Sequence, residues 1–169
     1  IKIANPGNAL KNINALHKKY DVVIDDLLSD KSLNDEVTHY IFERFKFLIE
    51  SANKSFTPLL ENEILAQGEL MSTFIFNAFL KQEDISSTLL PALDFMKIDV
   101  HKEPSFYEIE DRLTTVLNKA DAADIYITQG FICLDANEEV SNLQRGGSDY
   151  TATIIGAAIK AEEVQIWTD

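Results

Sequence analysis

The sequence contains little cysteine and little positive charge. Cys133 is the single cysteine among 169 residues, so the chain cannot form an internal disulfide, and this usage is typical of a reducing compartment. Fifteen lysines and arginines stand against 28 aspartates and glutamates, which gives a formal net charge of −13. Because so acidic a surface repels phosphate backbones, we expect neither nucleic acid nor an anionic membrane as a partner.

Long apolar runs are missing as well. No stretch approaches the ~20 residues that a membrane-spanning helix needs, and no signal peptide is visible, so we expect a cytoplasmic protein. Hydrophobic residues make up 46% and charged residues 25% of the chain, which is typical of one globular domain spanning residues 1–169. The chain begins with Ile1 rather than Met and stops in a strand-like segment. We therefore expect it to be a piece of a longer protein.

The first half of the chain has the apolar periodicity of amphipathic helices. Hydrophobic residues recur at three- and four-residue steps over residues 10–27, and again after Asn34-Asp35, which predicts two helices. A third predicted helix, residues 57–81, opens on Thr57-Pro58, a hydroxyl cap followed by proline. Gly68 interrupts its pattern, and we expect a break there.

The second half alternates predicted strands with predicted helices. Strands are predicted at residues 85–90, 125–128 and 164–167, a hairpin at 131–143, and helices at 105–119 and 151–161. This alternation predicts an α/β fold with three layers, α/β/α, around a mainly parallel sheet. The helical first half is then a large excursion packed against that sheet.

A glycine pair directly ahead of a helix is the strongest local signal. Gly146 and Gly147 let the backbone turn tightly and approach a ligand. The N–H groups of Gly147, Ser148 and Asp149 then lie near a helix N-terminus, which attracts anions. Arg145 can grip a carboxylate with two parallel bonds. These parts predict a site for a small carboxylate or a phosphate. The residues alone leave open a plain helix start, capped by Ser148 or Asp149.

Four short motifs resemble the catalytic domain of the aspartate kinase family. They are Gln-Gly-Glu-Leu-Met-Ser-Thr at 67–73, Ile-Thr-Gln-Gly-Phe at 127–131, Arg-Gly-Gly-Ser-Asp-Tyr-Thr-Ala at 145–152 and Ile-Trp-Thr-Asp at 166–169. Their order agrees with that family, which makes the resemblance specific. It implies the amino-acid kinase (carbamate kinase-like) fold. The family's N-terminal phosphate loop and its C-terminal nucleotide and ACT regulatory parts have no counterpart in the sequence, so we expect a partial catalytic domain that is inactive alone.

The resemblance also implies a role for each matching residue. Glu69 corresponds to the glutamate that faces the α-ammonium of aspartate, and Arg145 to the arginine that holds its α-carboxylate. Asp149 corresponds to an acid close to the substrate amine, although the residues also allow it to be a helix cap. The pocket is completed by Gly146, Gly147 and Ser148. Without the motif, Glu69 is simply a solvated carboxylate on a helix.

The implied activity is phosphoryl transfer from ATP to the β-carboxylate of L-aspartate, the first step of lysine, threonine and methionine synthesis. Thr168 and Asp169 match the nucleotide side of the site, ATP is expected as Mg-ATP, and the full-length protein is expected to be a homo-oligomer. Another amino-acid kinase, acting on glutamate or acetylglutamate, and a non-catalytic amino-acid-binding module stay open as alternatives. No metal-binding residues are predicted, because the three histidines are scattered without ligand spacing. We expect Cys133 to be a buried structural thiol.

Overall fold

The computed structural model describes residues 6–144 and 146–167. These residues divide between two compact units, Ile1–Ser87 and Thr88–Asp169. In chain order the elements are α1 (Pro6–Leu27), α2 (Lys31–Ser51), α3 (Pro58–Gln82), β1 (Ser87–Leu90), a 3-10 helix (Ala92–Asp94), α4 (Phe106–Lys119), β2 (Ile125–Thr128), β3 (Ile132–Leu134), β4 (Val140–Asn142) and α5 (Gly147–Ala158).

The first unit is built from three long helices, with α2 packed against both α1 and α3. Aromatic contacts join them, since the rings of Tyr40 on α2 and Phe74 on α3 stack with centroids 3.9 Å apart. The buried core of the unit consists of Ile24, Leu28, Val37, Ile41, Phe45, Met71, Ile75 and Ala78. These positions recur at helical spacing, so the three helices predicted from periodicity are confirmed.

Two helix starts were fixed by capping side chains. Thr57 accepts a hydrogen bond from the N–H of Leu60 at 3.1 Å, which confirms the predicted cap of α3. Asp30 accepts from the N–H of Leu33 at 2.9 Å, and α2 therefore begins at Lys31. The predicted start after Asn34-Asp35 is wrong, because the carboxylate at position 30 satisfies a first-turn donor and lets the helix begin earlier.

Helix α3 runs without a break through Gly68, so the predicted interruption is wrong. One glycine in a helix costs only about 0.5–1 kcal/mol, and burial of Ala66 and Met71 on either side keeps the helix together. Glu69 consequently lies in the interior of α3 and not at a helix start. A helix N-terminus therefore does not stabilise its carboxylate, because that effect falls off within the first turn.

Gly68→Ala is expected to raise the free energy of unfolding by about 0.5–1 kcal/mol. A Cβ added at this exposed position meets no atom within 4 Å, so the substitution removes backbone freedom from the unfolded chain without overlap in the folded one. Urea unfolding followed by circular dichroism at 222 nm measures the change. A loss of stability would contradict a continuous, unobstructed helix at this position.

The second unit contains two small sheets. β1 pairs with β2, and the segment between these strands carries α4. β3 and β4 form an antiparallel hairpin with Cys133 opposite Ser141, which confirms the predicted hairpin. The largest fully buried apolar side chains of this unit are Phe95, Met96, Ile98, Ile109 and Ile132. The predicted helix over residues 105–119 is confirmed, with Ser105 as its N-cap residue.

Residues 164–167 were predicted as a strand but have no regular secondary structure. Trp167 is 88% exposed, and none of the described residues pairs with this segment. A single extended segment leaves its backbone N–H and C=O groups without partners, so β-branched and aromatic residues alone do not make a strand. Val164 instead packs on α5 at Gly156, where an added Cβ would overlap its side chain.

Ion pairs among four side chains of alternating charge link the tip of the β3–β4 hairpin to α4. The Nη2 of Arg112 lies 2.7 Å from Glu108 and 2.8 Å from Glu138. The Nζ of Lys97 lies 3.1 Å from Glu108 and also contacts Glu138. Hydrogen bonds from Arg112 and then from Lys97 lower the pKa of Glu138 from 4.5 to about 2.

The charge of Glu138 is expected to make stability depend on acid pH. Because its pKa is lower in the folded state, its contribution to the free energy of unfolding is complete above pH 4.5 and is lost as the pH falls through about 2. As the pH falls from 4.5 to about 2, the free energy of unfolding of Glu138→Gln should therefore decrease less than that of the unmodified chain. Urea titrations at several pH values measure this, with Glu139→Gln as the control on the exposed neighbour. Parallel pH profiles for the chain and for Glu138→Gln would refute the prediction.

Candidate functional site

The start of α5 presents two backbone donors. Gly146 adopts a left-handed conformation, φ +76°, and is the N-cap residue. The N–H of Gly147 donates to the carbonyl of Gln144 at 3.1 Å. Within residues 6–144 and 146–167, the N–H groups of Ser148 and Asp149 donate no hydrogen bond. These donors, at the positive end of the helix dipole, suit an anion such as a carboxylate or a phosphate.

The loop that follows β2 lies directly against this helix start. A Cβ added at Gly130 would lie 2.9 Å from both the Cβ and the Oγ of Ser148. A Cβ added at Gly147 would lie 3.0 Å from the Cδ2 of Phe131 and 3.1 Å from the Cβ of Leu143. Both glycines are therefore required by the close approach of two backbone segments. This packing holds Ser148 at the carboxyl end of β2.

Two buried polar side chains fix the loop in place. Thr151 is 2% exposed, and its Oγ1 accepts from the N–H of Phe131 at 3.1 Å and donates to the carbonyl of Gly147 at 2.7 Å. Gln129 is 1% exposed, and its Oε1 accepts from the N–H of Ala92 at 2.8 Å. Sequence reasoning placed both residues in motifs but gave neither a role. The spacing in the sequence could have indicated the role of Thr151, since this residue follows Gly147 by four positions and therefore lies on the same face of the helix.

The structure brings together four of the predicted substrate-binding residues. Gly146, Gly147, Ser148 and Asp149 all lie at the start of α5, which begins four residues before its predicted start. No side chain forms a cap hydrogen bond there, so the interpretation of Ser148 or Asp149 as the cap residue is wrong. The cause is Gly146, whose left-handed backbone makes the turn by itself. Three further predicted positions, Arg145, Thr168 and Asp169, lie outside the described residues.

Glu69 belongs to the other unit, where it is half-buried on α3. Its backbone carbonyl accepts hydrogen bonds from the side chains of Ser72 at 3.2 Å and Thr73 at 2.8 Å. Burial and then the charge of Glu69 raise the pKa of the Tyr20 phenol on α1. The carboxylate of Glu69 therefore acts electrostatically on a partly buried hydroxyl group of α1.

Other reactive side chains have structural roles. Burial raises the pKa of Cys133 to about 12, so its thiol stays protonated and is a poor nucleophile at neutral pH. The His17 ring stacks on Phe45 with centroids 4.2 Å apart. Among the residues that the structure describes, no group of three or more His, Cys, Asp or Glu side chains could hold a metal ion. No helix in the same part of the chain has both the length and the apolar character needed to cross a membrane.

Comparison with known proteins identifies the class to which this fold and site belong. The sequence model of the amino acid kinase family matches residues 7–169, so the chain belongs to the amino acid kinase family. Within it, the chain is similar to the lysine-sensitive aspartokinase 3 of Escherichia coli, with 28% identity over 167 residues. That alignment covers 97% of this chain but 37% of the relative.

Solved structures of E. coli aspartokinase III share the fold. The complex with lysine and aspartate superposes with a TM-score of 0.81, 27% identity and coverage of 98% of this chain and 38% of that one. The complex with aspartate and ADP gives a TM-score of 0.79 at 27% identity, covering 98% and 37% of the two chains. The predicted family and the predicted amino-acid kinase fold, represented here in part, are confirmed.

Proposed function

We propose that the protein to which this chain belongs is an aspartate kinase, which transfers the γ-phosphoryl group of ATP to the β-carboxylate of L-aspartate. The product is 4-phospho-L-aspartate, the first intermediate of lysine, threonine and methionine synthesis. The observation that carries the proposal is the pair of N–H donors at Ser148 and Asp149, at a tightly packed glycine turn. The similarity to an aspartokinase crystallised with aspartate and ADP supports the choice of substrates.

The acceptor in this reaction needs positioning more than activation. A side-chain carboxylate is already ionised at neutral pH, so no general base is required. The enzyme must instead hold two anions in line and offset the charge on the transferred group. In the proposal, the start of α5 and Arg145 bind the α-carboxylate, while Glu69 attracts the α-ammonium. Such alignment supplies on the order of 7–11 kcal/mol in favourable cases.

The nucleotide side of the proposal rests on residues 168 and 169. We propose that Thr168 and Asp169 contact ATP, because the motif to which they belong, Ile-Trp-Thr-Asp at 166–169, resembles the nucleotide side of the aspartate kinase site. We propose that Mg²⁺ enters with the nucleotide, as Mg-ATP. Cysteine usage supports a cytoplasmic location. Analytical ultracentrifugation of the complete protein tests the proposed homo-oligomer.

Trapping the product tests the function directly. The complete protein is incubated with Mg-ATP and either L-aspartate or L-glutamate, and hydroxylamine converts any acyl phosphate to a hydroxamate, whose iron(III) complex is coloured. We expect aspartate to react with a kcat/KM at least about 100-fold above that of glutamate, because the pocket must grip both substrate ends at a fixed distance. Preference for glutamate would instead indicate another amino-acid kinase. Binding of aspartate by calorimetry without turnover would indicate a non-catalytic binding module.

A further inference from the structure

We infer that Thr151 is a positioning residue, which sets the affinity for the amino-acid substrate by joining the start of α5 to the loop after β2. The inference rests on the proposed function for its substrate, but its structural part stands on contacts within one unit. The hydroxyl of Thr151 uses both its proton and a lone pair, in the bonds to Gly147 and Phe131. It is therefore a polar link between the two segments that form the site.

Burial makes this link hard to replace. Thr151 is 2% exposed, and the described residues provide no second acceptor for the N–H of Phe131. The bond to the N–H of Phe131 is part-buried, and a donor shielded from water is costly to leave without a partner. Loss of the hydroxyl would therefore leave this N–H unsatisfied, and the loop could satisfy it only by moving toward solvent or another acceptor.

Backbone strain also favours movement of the loop once its hydrogen bond to Thr151 is lost. Phe131 has a φ of +68°, a conformation that non-glycine residues adopt only when their surroundings impose it. Gly130, its neighbour, lies so close to Ser148 that an added Cβ would overlap the serine backbone and side chain. A relaxed loop would therefore displace Ser148, whose N–H donates no hydrogen bond within the described residues.

The expected kinetic effect falls on KM. The donors at the start of α5 bind a carboxylate that takes no part in bond making, so they hold the substrate equally in the ground state and in the transition state. Loss of such uniform binding raises KM and leaves kcat nearly unchanged. A merely structural role would instead lower the amount of folded enzyme, which reduces the apparent kcat and leaves KM as it was.

Steady-state kinetics on the complete protein test the inference. Thr151→Val, which keeps the shape and removes the hydroxyl, should raise KM for aspartate about tenfold, equivalent to about 1.4 kcal/mol, with kcat within about twofold. Thr151→Ser should restore KM. Thr153→Val is the matched control, because Thr153 makes a similar bond, to the carbonyl of Tyr150 at 2.8 Å, but is exposed on the same helix. An unchanged KM in Thr151→Val, or an equal defect in Thr151→Ser, would overturn the inference.

Hydrogen exchange separates this inference from the proposed function. The amide of Phe131 should exchange slowly in the unmodified protein and in Thr151→Ser, and at least about tenfold faster in Thr151→Val, because its acceptor is lost. Slow exchange in Thr151→Val would refute the positioning role whatever the protein catalyses. Fast exchange in a protein without aspartate kinase activity would refute the substrate assignment and keep the structural link.

Discussion

Gly130→Ala is expected to lower kcat/KM for aspartate about 100-fold, because a misplacement of about 1 Å at a reactive site has effects of that size. The new Cβ would lie 2.9 Å from the Cβ and Oγ of Ser148 and 3.0 Å from its Cα. The Cα belongs to the helix backbone, so rotation of the serine side chain does not relieve the overlap. Either the loop after β2 or the start of α5 must shift, and both carry the proposed site.

The same overlap should reduce stability. Overpacking in a closely packed region costs about 1–3 kcal/mol, so urea unfolding of Gly130→Ala should begin at lower denaturant concentration. Gly68→Ala is the matched control, since the same chemical change meets open space there and should stabilise the chain. A Gly130→Ala variant with unchanged kcat/KM and unchanged stability would show that the two segments do not approach as closely as the structure indicates.

Helix positions were predictable because the apolar period is a local property. The stripes of α1, α2 and α3 were visible in the sequence, and Thr57 marked one start correctly. The start of α2 depended on which of several polar residues would cap, and Asp30 could be identified only from its bond to Leu33. The predicted break at Gly68 is wrong because tertiary burial of the surrounding helix outweighs the low helix propensity of one glycine.

Strand formation depends on partners, which no local pattern reveals. Residues 125–128 and 164–167 both have strand-like composition, yet only the first becomes a strand, because β1 pairs with it. The site follows the same rule. The glycine pair was recognisable from the sequence, whereas the roles of Thr151 and Gln129 depend on burial and on backbone groups far along the chain.

Glu69→Gln is expected to raise KM for aspartate about 10–100-fold, a loss of about 1.4–2.8 kcal/mol of binding free energy. Glutamine keeps the length and the polar end of the side chain but removes the charge that is proposed to attract the substrate ammonium, and hydrogen bonds to charged groups contribute about 1.5–3 kcal/mol. Initial rates over a range of aspartate concentrations measure the change. Glu63→Gln is the matched control, because Glu63 is also half-buried on α3.

A second measurement on the same variant shows whether Glu69 is charged and in place. The charge of Glu69 contributes to the raised pKa of Tyr20, after the larger effect of burial. Glu69→Gln should therefore lower the pKa of Tyr20 and leave it above 10, which absorbance titration at 295 nm detects against Tyr20→Phe. A lowered pKa with an unchanged KM would mean that the acid is where the structure places it but does not bind substrate. In that case Glu69 would be a solvated helix carboxylate, and the ammonium of aspartate would need another partner.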